Sequence, residues 1–399
     1  MDLEHFLAAA EHWLETNAVR RTPSAGGCHE AADDSVQVFP NSDPDEERAR
    51  LEAAMEWQGR KFAAGFGAIS LPTQVGGRGL PHDFERAFAG IERGYVVPPS
   101  NELFRVTLNL VAPTIAEYGT EALQSTVLHE ILTGRVLVCQ LFSEPDAGSD
   151  LASLRCRARR EGDEWVLDGH KVWTSGANMA EYGQLIARTD TAAGHRGLTA
   201  FMVPLDLPGI TVRPIRQMTG GASFNEVFLD SVRLPDQLRL GDIGQGWEVA
   251  LATLAFERET SGEHHLEVGG SVERVIELAR SLGRHADPTV RNRLADLYIR
   301  YRVLELTNQR AAAREEEGPG AIGSIGKLFW TQNMAAMSDV VSMLLGARLT
   351  ADSGEWGTYA WAEHVLGAPG YRIAGGSDEI QRNIIGERVL LLPREPRLR

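Results

Sequence analysis

The sequence predicts an α+β chain in which helices come first, strands second and helices again. Three observations carry that order. Apolar residues recur at helical spacing up to about residue 135. From Arg135 to about Leu240 they alternate instead, in short runs separated by turn residues. Beyond Gly244-Gln245-Gly246-Trp247 the helical spacing returns and holds to the end. The expected domains are residues 1–135, 136–240 and 241–399.

In the first segment Leu3, Phe6, Leu7, Ala10 and Leu14 share one helical face. A Pro/Ser/Asp-rich interval from Thr22 to Pro44 reads as a loop, and Glu46 to Ala64 as a second helix. The stretch ISLPTQVGGRGL, Ile69 to Leu80, is a tight non-helical connection because of its adjacent glycines. Helices resume at Pro81–Glu92 and Glu121–Thr133. In the second segment an apolar run, Val136 to Phe142, leads into Ser143-Glu144-Pro145-Asp146-Ala147-Gly148-Ser149-Asp150, a loop of small and turn-forming residues. Strands are expected at Trp165–Asp168, Lys171–Thr174, Leu185–Arg188, Leu198–Val203, Ile210–Pro214 and Glu226–Leu229. Asp168-Gly169 is read as a turn between the first two. Together they would form a small antiparallel barrel or sandwich. The third segment should hold helices over residues 247–281, 288–316, 323–346 and 378–390.

Composition excludes several function classes. A chain of 399 residues with 43% hydrophobic content can build large cores. Its net charge of −15 argues against a nucleic-acid binder and against attachment to anionic membranes. No apolar run approaches the ~18 residues needed to span a bilayer. The acidic, amphipathic start MDLEHFLAAAEHWLE is unlike a signal or transit peptide, so a cytoplasmic address is expected. Cys28, Cys139 and Cys156 offer neither metal-ligand spacing nor a disulfide framework, and the last two read as small buried hydrophobes. Among 40 basic residues only Lys61, Lys171 and Lys327 are lysines, a skew that suggests a GC-rich genome rather than a site.

Two loops carry chemistry. A strand ending in a Gly/Ser loop exposes backbone N–H groups that can hold a flat, anionic ligand. Trp173-Thr174-Ser175, on the next strands, could add a stacking face and hydroxyls. Either loop alone is explained by a β-meander with polar turns. Taken in order with ISLPTQVGGRGL, NEVFLDSVRLP and the closing GGSDEIQRNIIGER, the SEPDAGSD and DGHKVWTSGA motifs resemble the acyl-CoA dehydrogenase family nearly end to end. The resemblance implies the acyl-CoA dehydrogenase fold: an N-terminal helical domain, a middle β-barrel and a C-terminal four-helix bundle. It implies FAD as cofactor and oxidation of an acyl-CoA thioester to a trans-2-enoyl-CoA. Phe142 and Ser143 would run along the flavin ring, with Gly148 and Ser149 turning beside flavin and acyl-CoA. Trp173, Thr174 and Ser175 would form the second wall, and Ser377 and Glu379 would open a helix beside the diphosphate. Electron-transfer flavoprotein is the implied acceptor, and a dimer or homotetramer the implied assembly, with a heterotetramer possible.

The base needs a carboxylate on the face of the substrate opposite the flavin. Many members of the family carry it just before the Gly-Thr/Ser that opens the last helix, where this chain has Gly375. A minority, including the isovaleryl and long-chain types, carry it on an earlier helix immediately before an arginine. Glu257-Arg258 matches that pattern. Helical spacing supports the match, since Trp247, Ala250, Leu251 and Leu254 form a stripe that Glu257 continues. Desolvation on such a face raises a carboxylate's pKa toward that of a useful base. The ordinary alternative is a helix glutamate paired with an arginine. In the implied scheme Glu257 takes the α-proton, Arg258 shapes the substrate side, and the Gly375 N–H donates to the thioester carbonyl. Two departures stand out. Residues 281–287 lack the family's Arg and Phe-Gly pair, and Met343-Leu344-Leu345-Gly346-Ala347 replaces its Gln and Leu-Gly-Gly. They keep open an inactive or partner-dependent subunit of a heterotetramer. The other alternative, a flavin monooxygenase or oxidase on the same fold, would be favoured by the lack of both base carboxylates, and the Glu257-Arg258 pair speaks against it.

Overall fold

A computed structural model of the chain describes residues 2–21, 36, 38–39, 43–264, 268–312, 322–351 and 358–394; the side chains at 257–264, 312 and 358–360 fall outside that description. The described residues divide into two compact units, one within 1–28, 42–215 and 222–253, the other within 29–41, 216–221 and 254–399.

In the first unit, α1 (Leu3–Asn17) starts at Asp2, whose carboxylate accepts the His5 N–H at 2.9 Å and satisfies an orphan donor of the first turn. α2 (Pro44–Ala63) has Asp43 as its cap, a proline just inside, and Arg60 and Lys61 in its last turn. α3 (His82–Glu92) follows the glycine-rich connection. α4 (Glu102–Arg105) and α5 (Ala112–Tyr118) are joined by a π-helical turn, as are α6 (Glu121–Leu123) and α7 (His129–Leu132). The helical stretch at 102–118 is not among those the sequence predicts. Pro113 breaks its apparent periodicity, yet the helical backbone carries through it directly after the π-helical turn at Val106–Val111.

The strands are β1 (Val19–Arg20), β2 (Tyr95–Val96), β3 (Val138–Leu141), β4 (Arg157–Glu161), β5 (Glu164–Ser175), β6 (Tyr182–Arg188), β7 (Leu198–Pro204), β8 (Ile210–Ile215), β9 (Phe224–Pro235) and β10 (Arg239–Leu240). β1 and β2 make a separate ribbon, and the rest form one sheet in the order β10-β7-β6-β4-β5-β9-β8, with β3 beside β6. Two expectations need correction. The sheet is mixed, since β3 and β4 each run parallel to β6. Asp168-Gly169 is no turn, and β5 passes through it as one strand. Gly169 is needed there for packing, because a Cβ would lie 2.5 Å from the Cys156 Sγ. Trp165, Leu167, Leu185, Phe201, Val203 and Val227 fill the core under this sheet, joined by Leu103 and Phe104 from α4. Each such side chain contributes about 1.5–3 kcal/mol by leaving water. Cys139 and Cys156 are buried and unbridged, and burial pushes their thiols up to about 12 and about 11.

α8 (Gly246–His264) runs from the first unit into the second. There follow α9 (Val272–Ser281), α10 (Pro288–Ala312), α11 (Ile322–Leu345), α12 (Thr358–Tyr371) and α13 (Asp378–Ile384), which ends in a π-helical turn. The single helix expected over 247–281 is two, broken at Gly269 and Gly270 with φ of 86° and 80°. α12 is absent from the sequence reading because Gly367, Pro369 and Gly370 read as breakers. They serve packing instead: Cβ atoms at Gly367 and Gly370 would lie 2.8 Å and 2.6 Å from Val38 and Phe39. Among the described residues no helix is long and apolar enough to cross a membrane.

Candidate active site

The SEPDAGSD loop is anchored at its first residues by β5. Ser143 O accepts the Val172 N–H at 3.0 Å, and Phe142 O accepts from Lys171 Nζ at 3.0 Å. The Lys171 ammonium, fully buried, also donates to Ile186 O at 2.9 Å and to Glu144 Oε1 at 2.8 Å. The Glu144 carboxylate accepts further from the N–H groups of Arg155 at 2.6 Å and Cys156 at 2.9 Å. Burial works to raise its pKa, but the Lys171 charge and these donors outweigh it and hold the group below its usual value. Neither Glu144 nor Lys171 was singled out from the sequence as a partner of the other, since 26 intervening residues hide their contact.

The same clamp sets up the second wall. The β5–β9 register slips between Lys171 and Thr174, and the slip turns Trp173 outward at a φ of 62°. Its indole is 60% exposed, steadied edge-on by Phe224 at 6.1 Å. Thr174 turns the other way and is buried, while Ser175 is half-buried opposite Phe224. Of the two hydroxyls, Ser175 is thus the one presented near the surface. Gly148 and Ser149 are exposed, and a Cβ at Gly148 would meet nothing within 4 Å, so that loop borders open space. Gln140, one residue before the end of β3, was missed. Its Nε2 is buried without a hydrogen-bond partner, and its signal was a lone polar side chain within an apolar run.

Family models match all three parts of the chain: the acyl-CoA dehydrogenase N-terminal domain at residues 29–135, the middle domain at 139–232 and the C-terminal domain at 244–390. Acyl-CoA dehydrogenase IpdE1 of Mycobacterium tuberculosis is 35% identical over 401 residues, covering 99% of each chain. The chain belongs to the acyl-CoA dehydrogenase family. Among solved structures, the Tcur3481-Tcur3483 steroid ACAD superimposes with a TM-score of 0.75 at 27% identity, covering 99% of this chain and 100% of its own. The ChsE4-ChsE5 complex from Mycobacterium tuberculosis gives 0.71 at 25%, covering 98% of each. The predicted fold class and the family resemblance are thereby established, and the protein is an oxidoreductase of the acyl-CoA dehydrogenase type.

In the second unit of this acyl-CoA dehydrogenase, Gly375 and Gly376 form the turn before α13, with φ of 62° and 86° that favour glycine. Ser377 caps α13 by accepting the Ile380 N–H at 3.4 Å. Asp378 is buried and held by Arg372 at 2.7 Å and Thr331 at 3.0 Å, whereas Glu379 is exposed and pairs with Arg382 at 3.1 Å. Glu257 and Arg258 fall on α8, but their side chains lie outside the described residues. The two stretches that depart from the family pattern meet each other, since Arg284 Nη1 donates to Met343 O at 2.7 Å.

Proposed function

We propose that the protein oxidises an acyl-CoA thioester at its α,β bond to the trans-2-enoyl product, with FAD as resident cofactor and Glu257 as base. The observation that carries this reading is the paired wall of β3 and β5, where one buried clamp holds the strand end at Phe142–Ser143 against the outward-facing Trp173. The residues suit a flavin. Trp173 offers an open aromatic face, Ser175 a hydroxyl, Gln140 an unpartnered amide, and Gly148 an unfilled margin. Phe142, Ser143, Thr174 and Ser149 complete that wall, and the backbone N–H groups of Ser377 and Glu379 at the start of α13 would take the diphosphate end, with the Glu379 carboxylate left on Arg382. FAD bound there supplies the acceptor for the β-hydride.

Glu257 removes the α-proton, and Arg258 shapes the acyl side. The Gly375 N–H donates to the thioester oxygen, where charge develops. The missing side chain at Gly375 leaves room near the α-carbon, and a solved relative is described as a steroid ACAD. Both support a bulky, ring-bearing acyl group. Electrons then pass to an electron-transfer flavoprotein.

Anaerobic titration of the flavin-loaded protein with a panel of acyl-CoA thioesters tests the reading. Glu257→Gln should keep its flavin and lose bleaching by a factor of about 10²–10⁴. An unchanged reductive rate in that variant removes Glu257 from the role. A second reading, dependence on an unlike partner subunit, is favoured by two relatives that are themselves two-protein assemblies. Bleaching only after mixing with such a partner would select it, and fast turnover with oxygen would select an oxidase.

A further inference from the structure

Three of the chain's 40 basic residues are lysines. A bias toward arginine acts wherever arginine serves equally well, so the positions that resist it are informative. Two of the three are buried, Lys171 at 0% exposure and Lys327 at 6%. The Lys171 ammonium has three protons and meets three oxygens: Phe142 O at 3.0 Å, Ile186 O at 2.9 Å and Glu144 Oε1 at 2.8 Å. A guanidinium spreads its donors in a flat fork and cannot aim three of them inward on such a tripod. Lys327, on α11, donates to Gly376 O at 2.7 Å. Gln381 Nε2 shares that turn, donating to Gly375 O at 2.8 Å and Gly376 O at 3.2 Å. Lys61 differs. It pairs with Glu92 at 3.3 Å and lies over the Phe88 ring at 5.9 Å, an arrangement a guanidinium satisfies as well.

We infer that Lys171 and Lys327 are positioning residues: Lys171 is retained as lysine because only a compact ammonium meets two main-chain carbonyls and a carboxylate at once beside the loop assigned to the flavin, and Lys327 holds the Gly376 carbonyl of the turn that carries the Gly375 N–H. The skew toward arginine stays a property of composition, and the buried positions that escape it are the informative ones. The inference rests on the function proposed above, since it assigns the lysines to loops that function uses.

The test is charge-conserving substitution. Lys171→Arg, Lys327→Arg and Lys61→Arg are compared with the wild type by apoprotein melting, FAD titration, the fine structure of the bound flavin's visible band, and bleaching by acyl-CoA. Lys61→Arg should match the wild type throughout. Lys171→Arg should weaken FAD by about tenfold or more and blur the flavin band. Lys327→Arg should keep FAD while slowing bleaching by about tenfold. If Lys171→Arg does not fold, Lys171→Met with Glu144→Gln removes the ammonium and its counter-charge together while keeping an oxygen acceptor for the Arg155 and Cys156 N–H groups. That folded double variant should still bind FAD poorly, because the carbonyl clamp is gone. Wild-type FAD affinity, flavin spectrum and bleaching in these variants would overturn the inference and leave the function intact. A wild-type chain that takes up no flavin would overturn the function itself, and the inference with it.

Discussion

Trp173 occupies backbone space where a Cβ costs about 1–2 kcal/mol, and it spends most of its indole in solvent. Among the described residues, its ring contact is the edge-on one with Phe224. A ligand against the exposed face would bury the indole, and under the proposed function the strain serves binding. Trp173→Gly should leave the melting temperature of the apoprotein unchanged or raise it, while FAD affinity falls by about tenfold. Equal FAD affinity in the variant would sink the stacking role. The residue types of this wall were legible in the sequence as Trp-Thr-Ser after an alternating strand. Their directions were not, because a register slip decides them: it turns Trp173 out and Thr174 in. Gln140 could have been found as the one polar interruption of an apolar run. The side chain of Glu257 lies outside the described residues. Of the stripe that pointed to it, Ala250 is buried, Trp247 and Leu254 are half-buried and Leu251 is exposed, the buried face being Val249, Ala250 and Thr253, so the adjacent arginine is the argument that stands.

At the scale of elements, β3 and β5 are held together through the Glu144–Lys171 pair, and its pH dependence has a definite sign. The folded-state pKa of Glu144 is depressed from an ordinary value of 4.5. Its contribution to stability is therefore complete above that value and is lost as pH falls through it toward the folded pKa. Glu144→Gln leaves a buried ammonium without its counter-charge and should cost about 3–5 kcal/mol at neutral pH. Denaturant titrations across pH should show the gap between wild type and variant narrowing below about pH 4.5. A gap that stays constant into acid would mean that Glu144 acts through packing alone. Elements with strong periodicity, such as α1, α2, α10 and α11, were readable because their own side chains bury one face. β5 and α12 were not, because glycines that normally signal turns were chosen there for close approach by Cys156, Val38 and Phe39.

At the scale of the whole molecule, the helices–strands–helices order was visible from a change in hydrophobic period, and the family resemblance followed from motifs in sequence order. Assembly was visible only as an implication of that resemblance, and the structure adds a physical reason for it. On α10, Ile299, Val303 and Leu306 recur at helical spacing yet are 59%, 44% and 55% exposed. Leu390, Leu391 and Leu392 after α13 are 62%, 82% and 55% exposed. Contiguous apolar faces of this kind are uncommon on a protein that works alone. The α10 face also complements itself. Asp296 and Arg310 stand the same distance before and after Val303, about 10 Å along the axis. A two-fold pairing of antiparallel copies centred on Val303 would set Asp296 of each against Arg310 of the other, with Ile299 near Leu306. Val303→Glu places two carboxylates at that centre and should shift the particle mass to a smaller species in light scattering, with helix content by circular dichroism unchanged because the residue is exposed within its own chain. Exchange of the two charges, Asp296→Arg with Arg310→Asp, should keep the assembly, since the swapped charges still face each other, while loss of the Asp296–Arg300 pair at 2.8 Å costs about 0.3–0.5 kcal/mol within α10. Either change of charge alone should weaken assembly, and more so at low salt, where like charges across the axis are least screened. Unchanged mass for Val303→Glu would show that a different face, or an unlike partner, covers the chain's apolar surface.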